Sequence, residues 1–221
     1  VGGLLAPEHS VTPVGRDPHV PAVREDGLRV TGAVETTVHP QATTDGTGFD
    51  ADLAVVTVKA GDTATAGEQL ATGDVELVWS LTNGLVEERL RELLGDRVLA
   101  GTATYGAELP AAGVVRCTGV GELHVGELAG ADDATQATPS HRARRVAAAC
   151  RAAGLSTTAD PGMATRRWRK LAVNAGINAV TALTRTENAA VLAEPAAAVA
   201  ARAARETARV ARARDVELTD E

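Results

Sequence analysis

Asp52-Leu53-Ala54-Val55-Val56-Thr57-Val58-Lys59 decides the fold class. It is a continuous apolar run of strand length, closed by the turn residues Gly61 and Asp62. An apolar run without polar alternation is the pattern of a strand buried on both faces, as in parallel sheets covered by helices. Downstream, Asp62 to Leu70 reads as a crossover helix, Val75 to Leu81 as the next strand, and Val86 to Leu94 as a charged amphipathic helix. Strand, helix, strand, helix implies a parallel sheet. Arg97 to Thr104, Val114 to Thr118 and Glu122 to Gly126 carry strand signals separated by glycine turns, which adds a mixed edge. Upstream, Leu28 to Gly32 and Val34 to Val38 read as a short strand pair. Ser10 to Arg16 reads as a strand followed by a helix over Pro18 to Asp26, half of a βαβ unit. Val1 to Ala6 reads as the middle of a helix that breaks at Pro7-Glu8-His9.

Beyond the polar segment Asp132 to Ser140 the pattern turns helical. His141 to Ala153 has i, i+4 apolar spacing and ends at Gly154, a C-terminal cap. Leu155 to Thr158 adds one more strand. Ala164 to Leu183 reads as a long helix, and Pro195 to Val216 as another, rich in Ala and Arg. The expected class is α/β: a Rossmann-like, mostly parallel sheet over residues 1–160, then an all-α segment over residues 161–221, with the boundary near Pro161.

Composition narrows the function. The chain of 221 residues is 44% apolar but only 2% aromatic, so its core is built from small aliphatic side chains. A formal net charge of −7 repels phosphate, which argues against a nucleic-acid partner. Neither an apolar run of about 18 residues nor a basic, apolar leader is present, so a cytoplasmic protein without a membrane partner is expected. Cys117 and Cys150 stand far apart without metal-ligand spacing and read as structural thiols. Acidic, Arg-rich and Lys-poor, the composition also resembles that of salt-adapted proteins from GC-rich genomes.

Two scarce residue types mark a site. Lys59 and Lys170 are the only lysines, all other basic residues being Arg; Asn83, Asn174, Asn178 and Asn188 are the only asparagines. Lys is a compact ammonium whose pKa moves with burial, so Arg does not replace it in a site. On the long helix Lys170, Asn174 and Asn178 follow at i, i+4 and i+8, a polar stripe among Leu171, Val173, Ile177, Val180 and Leu183. An ammonium beside amides suits a small ligand bearing hydroxyl, carbonyl or carboxylate groups; interhelical hydrogen bonding is the plainer alternative. Arg16, Lys59 and Asn83 each follow an expected strand, where open parallel sheets bind ligands. Arg16 stands where an Arg accommodates a 2′-phosphate and an acid the free ribose, which favours NADPH over NADH. A solvated turn residue is an equally plain reading of Arg16, and Asp17 follows it directly.

Ser80-Leu81-Thr82-Asn83-Gly84-Leu85, Gly101-Thr102-Ala103-Thr104-Tyr105-Gly106-Ala107 and Trp168 to Leu183 resemble the ketopantoate reductase family, also called 2-dehydropantoate 2-reductases. The resemblance runs from Gly2 to Glu221. It implies NADPH-dependent reduction of 2-dehydropantoate to pantoate, a step toward pantothenate and coenzyme A. By resemblance Lys170 is the catalytic proton donor, and Asn174, Asn178 and Asn188 are substrate-binding amides. Asn83 lies between cofactor and substrate, Lys59 and Arg16 are cofactor-side positions, and Ala107 is a backbone contact to the cofactor. The family's G-x-G-x-x-G fingerprint is not found in this sequence; its glycines and first strand are expected before Val1, and a Ser and a Glu of the site after Glu221. A homodimer through the helical segment is the expected assembly. The alternatives are an inactive truncated remnant, or an interaction module that pairs through the Pro195 to Val216 helix without binding cofactor.

Overall fold

The computed structural model describes residues 1–128 and 138–219. Most of the polar segment Asp132 to Ser140 lies outside the described residues. From the N-terminus the elements are α1 (Gly2–Leu5), α2 (His19–Asp26), β1 (Leu28–Gly32), β2 (Thr36–Val38), β3 (Asp50–Val56), α3 (Thr63–Leu70), β4 (Asp74–Ser80) and α4 (Glu87–Leu94). There follow β5 (Val98–Ala103), β6 (Gly106–Ala111), β7 (Val114–Gly119), β8 (Leu123–Glu127), α5 (His141–Ala152), β9 (Thr157–Ala159), α6 (Met163–Thr184) and α7 (Ala196–Arg212).

The larger sheet has the order β3-β4-β5-β8-β9. Its first three strands are parallel, in a register that sets Val56 opposite Ser80 and Ser80 opposite Ala100. β8 closes antiparallel to β5, and β9 runs parallel to β8, so the sheet is mixed as the glycine-separated signals imply. Helices cover both faces. Leu77, Trp79, Leu99, Leu123 and Val125 pack with Ala143, Val146, Ala147 and Cys150 of α5 on one side. Val56, Val75, Val78 and Val98 pack with Leu90 and Leu94 of α4 on the other. Cys117 and Cys150 are buried free thiols. The smaller sheet has the order β2-β1-β7-β6.

Two strand expectations need correction. β3 packs on both faces, Leu53 and Val55 against one core and Ala54 and Val56 in the other, but among the described residues it is the edge strand, so most of its side chains stay partly exposed. Apolar composition shows what a strand can bury, whereas burial also requires a neighbour on each side. Ser10 to Arg16 forms only an isolated parallel bridge, Val14 to Thr43, because Pro13 has no N–H to extend the ladder. β6 was not expected at all. Its side chains are nearly all exposed, so no apolar alternation marks it, and it carries Pro110 as edge strands tolerate.

The chain leaves the sheet through β9 and enters α6, which packs along α7. At Gly176 a Cβ would lie 2.9 Å from the Ala200 carbonyl oxygen, so only glycine permits this helix spacing. Among the described residues no helix is long and apolar enough to cross a membrane, and no group of His, Cys, Asp and Glu could hold a metal ion.

Candidate active site

The strand register lays out the site. Lys59 and Asn83 follow the paired ends of β3 and β4 by three residues and Ala103 ends β5, so the three mark a row of carboxyl ends of adjacent parallel strands. Lys59 and Asn83 are exposed there. Gly84, at φ 106°, occupies a conformation that favours glycine and turns the chain sharply after Asn83 toward α4. Lys170 reaches the same row from α6: its Nζ donates a 3.0 Å hydrogen bond to the Ala103 carbonyl. Burial pushes the Lys170 ammonium below its ordinary pKa, and the Glu87 carboxylate pulls it part of the way back.

Glu87 and Arg167 form a buried pair beside Lys170 that the sequence reading missed. Arg167 is 7% exposed and Glu87 1%, and Arg167 Nη2 donates to Glu87 Oε2 at 2.6 Å and to both carboxylate oxygens of Glu88 at 3.3 Å. A contact of 2.6 Å is that of a charge-assisted pair. Burial raises the Glu87 carboxyl pKa, and the Arg167 guanidinium opposes the rise. Arg167 precedes Lys170 by three residues and so shares its helix face. That spacing was the available signal, but Arg166, Arg167 and Arg169 look alike in sequence.

The remaining residues fall into two groups. Arg16 is 79% exposed and pairs with Asp62 at 3.0 Å, which ties it to the turn that follows Lys59. Ala107 lies four residues beyond Ala103, opposite Cys117 in the edge hairpin of β6 and β7. Asn174 is half-buried one turn past Lys170, about 6 Å along the helix axis. Asn178 is exposed about 12 Å along the axis, and Asn188, also exposed, follows the end of α6. Thus Lys59, Asn83 and Lys170 share the sheet edge, Arg16 is held beside it, and Asn178 and Asn188 stand farther down the helical segment.

An ammonium and an amide in line along a parallel sheet's carboxyl edge fit the polar groups of a dinucleotide. Without a G-x-G-x-x-G motif, the described residues supply the edge side of such a site and not a glycine cradle for its pyrophosphate.

Known proteins match this chain over most of its length. The family model "Ketopantoate reductase PanE/ApbA" matches residues 1–130, and its C-terminal counterpart matches residues 163–221. A 2-dehydropantoate 2-reductase of Halobacterium salinarum is 41% identical over 203 residues, covering 88% of this chain and 65% of its own length. One of Archaeoglobus fulgidus is 36% identical over 196 residues, covering 88% and 63%. The chain thus spans a little under two thirds of these curated relatives. The crystal structure of a PanE/ApbA family ketopantoate reductase from Ralstonia eutropha JMP134 superposes with a TM-score of 0.84 at 30% identity, over 99% of this chain and 72% of that one.

Proposed function

The chain belongs to the ketopantoate reductase family, and from that premise we propose that the protein reduces 2-dehydropantoate to pantoate with NADPH, toward pantothenate and coenzyme A. The observation that carries this reading is the half-buried Lys170 ammonium, hydrogen-bonded at the sheet edge in line with Lys59 and Asn83. A nicotinamide dinucleotide supplies hydride when bound. Negative charge then builds on the oxygen of the reduced carbonyl, and Lys170 stabilises it and gives that oxygen its proton. Burial favours the neutral amine and so makes the ammonium a stronger acid than a solvated lysine. The Asn174 amide orients the substrate's hydroxyl and carboxylate groups, with Asn178 farther along the same face and Asn188 beyond the end of the helix. Asn83 lies between cofactor and substrate, Lys59 and Arg16 serve the phosphate side, and Ala107 offers its backbone. Residues 1–160 act as the dinucleotide-binding unit and residues 161–221 as the helical substrate unit, in a cytoplasmic and homodimeric protein.

The test is oxidation of NADPH by the full-length protein with 2-dehydropantoate, beside a calorimetric titration with NADPH. Turnover with this substrate is the expected result. A folded protein that binds NADPH and leaves 2-dehydropantoate unreduced would overturn the reading.

A further inference from the structure

We infer that Glu87 and Arg167 are positioning residues for Lys170: the buried pair locks α6 onto the start of α4 and thereby holds the ammonium in register with Asn83. The inference rests on the reductase reading for what Lys170 does, and on geometry for how it is held. Three contacts fix the first turns of α6. Arg166 is paired with Asp160 at the end of β9, Arg167 with Glu87 and Glu88, and Lys170 with the Ala103 carbonyl. The first is local to the turn that starts the helix, and the third belongs to Lys170 itself. Of the three, the Arg167 pair joins the helix carrying Lys170 to the segment carrying Asn83, four residues before Glu87.

Energetics favour a positioning role over plain stabilisation. A buried ion pair seldom stabilises more than well-packed apolar residues would, because both charges are desolvated. This pair carries a further penalty, since Arg167 Nε is buried without a hydrogen-bond partner. Glu87 sits in the first turn of α4, where a helix accepts negative charge, and its field reaches Lys170. Among the described residues, Glu87 is the charge that acts on Lys170. β5 carries none; His124 of β8 faces Glu122 and Asp160, and Glu127 pairs with Arg142. On α7, Arg202 and Arg209 both pair with Glu206.

The experiment compares Glu87→Gln, Arg167→Lys and the double variant Glu87→Gln/Arg167→Met with the parent, in the full-length protein. The first readout is the pH dependence of Lys170 acylation by a trace of acetic anhydride, followed by mass spectrometry with exposed Lys59 as the internal standard. It needs no turnover. The expected result for Glu87→Gln is a Lys170 titration moved to lower pH while that of Lys59 stays in place. The second readout is the split between kcat and KM, with kcat falling by about 10²-fold, the scale of an ångström's misplacement, and KM changing far less. The double variant, with no buried charge left unpaired, recovers thermal stability without recovering kcat, and Arg167→Lys recovers kcat only in part. An unchanged Lys170 titration in folded Glu87→Gln, or a double variant that regains kcat together with stability, would overturn the inference. A displaced titration in a protein inactive on 2-dehydropantoate would sustain it and count against the reductase reading alone.

Discussion

The two halves of α6 are built on one helix and treated differently by the fold. From Arg166 to Lys170 the side chains reach outward to Asp160, Glu87, Glu88 and Ala103, on two other elements, α4 and β5, and the turn before the helix. From Asn174 onward they reach back to the helix itself, as Thr181 does to the Ile177 carbonyl and Thr184 to that of Val180. Val173 is exposed and Leu183 is 87% exposed. Helical propensity does not separate the halves; docking against the sheet does, as expected where helix stability comes from tertiary packing. A helix held by charged and polar contacts at one end, and by packing on α7 with Asn178 left exposed at the other, suits a reductase site. The proton donor needs a fixed position, and the recognition amides need room for a ligand.

The contrast breaks first at Lys170. Lys170→Ala is expected to lower kcat by about 10²–10⁴-fold, the usual contribution of a positioned proton donor. In the proposed role Lys170 acts as the ammonium, so the rate falls as pH rises through its pKa. Burial sets that alkaline limb below the ordinary lysine value of about 10.4. A profile flat to pH 10 would remove Lys170 from the acid role.

Next in size is the anchor itself. Arg167→Ala leaves Glu87 as an uncompensated buried carboxylate, and a loss of about 3–5 kcal/mol is expected in urea denaturation. Arg202→Ala, which breaks only the exposed i, i+4 pair with Glu206 on α7, should cost nothing measurable. Equal losses would mean that the first half of α6 is no better anchored than the surface.

Much of this contrast was legible in sequence, and the unread parts have physical causes. The two lysines and four asparagines stood out by rarity, and i, i+4, i+8 spacing placed three of them on one helix face. Apolar patterning of strand length located β4 and β5 because both are buried between helices. It could not show that β3 lies at an edge, because that depends on what pairs beside it. Nor could it find β6, whose exposed side chains leave no pattern. The Glu87 and Arg167 pair was hidden for a different reason. Eighty residues separate the partners, and charged residues read as surface until the fold buries them together.

The open half is tested by Asn174→Ala and Asn178→Ala. Each removes one amide from a ligand, worth about 1 kcal/mol per hydrogen bond or a several-fold rise in KM. Asn174, one turn from Lys170, is expected to show the larger rise, with kcat nearly unchanged in both. A larger effect at Asn178 would place the ligand toward the far end of the helix.

Salt separates the two halves most finely. Between about 0.1 M and 1 M salt the Debye length shrinks from about 10 Å to about 3 Å, so repulsion among exposed charges fades while a buried pair is screened little. With a net charge of −7 the folded chain repels itself, and thermal unfolding should move upward by a few degrees in molar salt. The Arg167→Ala penalty should stay the same at both salt concentrations, because Glu87 and Arg167 lie out of reach of counterions. Equal stability of the parent in dilute and molar salt would dismiss the salt-adapted reading of the composition. A penalty that shrinks with salt would show that water reaches the pair, and the first half of α6 would then be as open as the second.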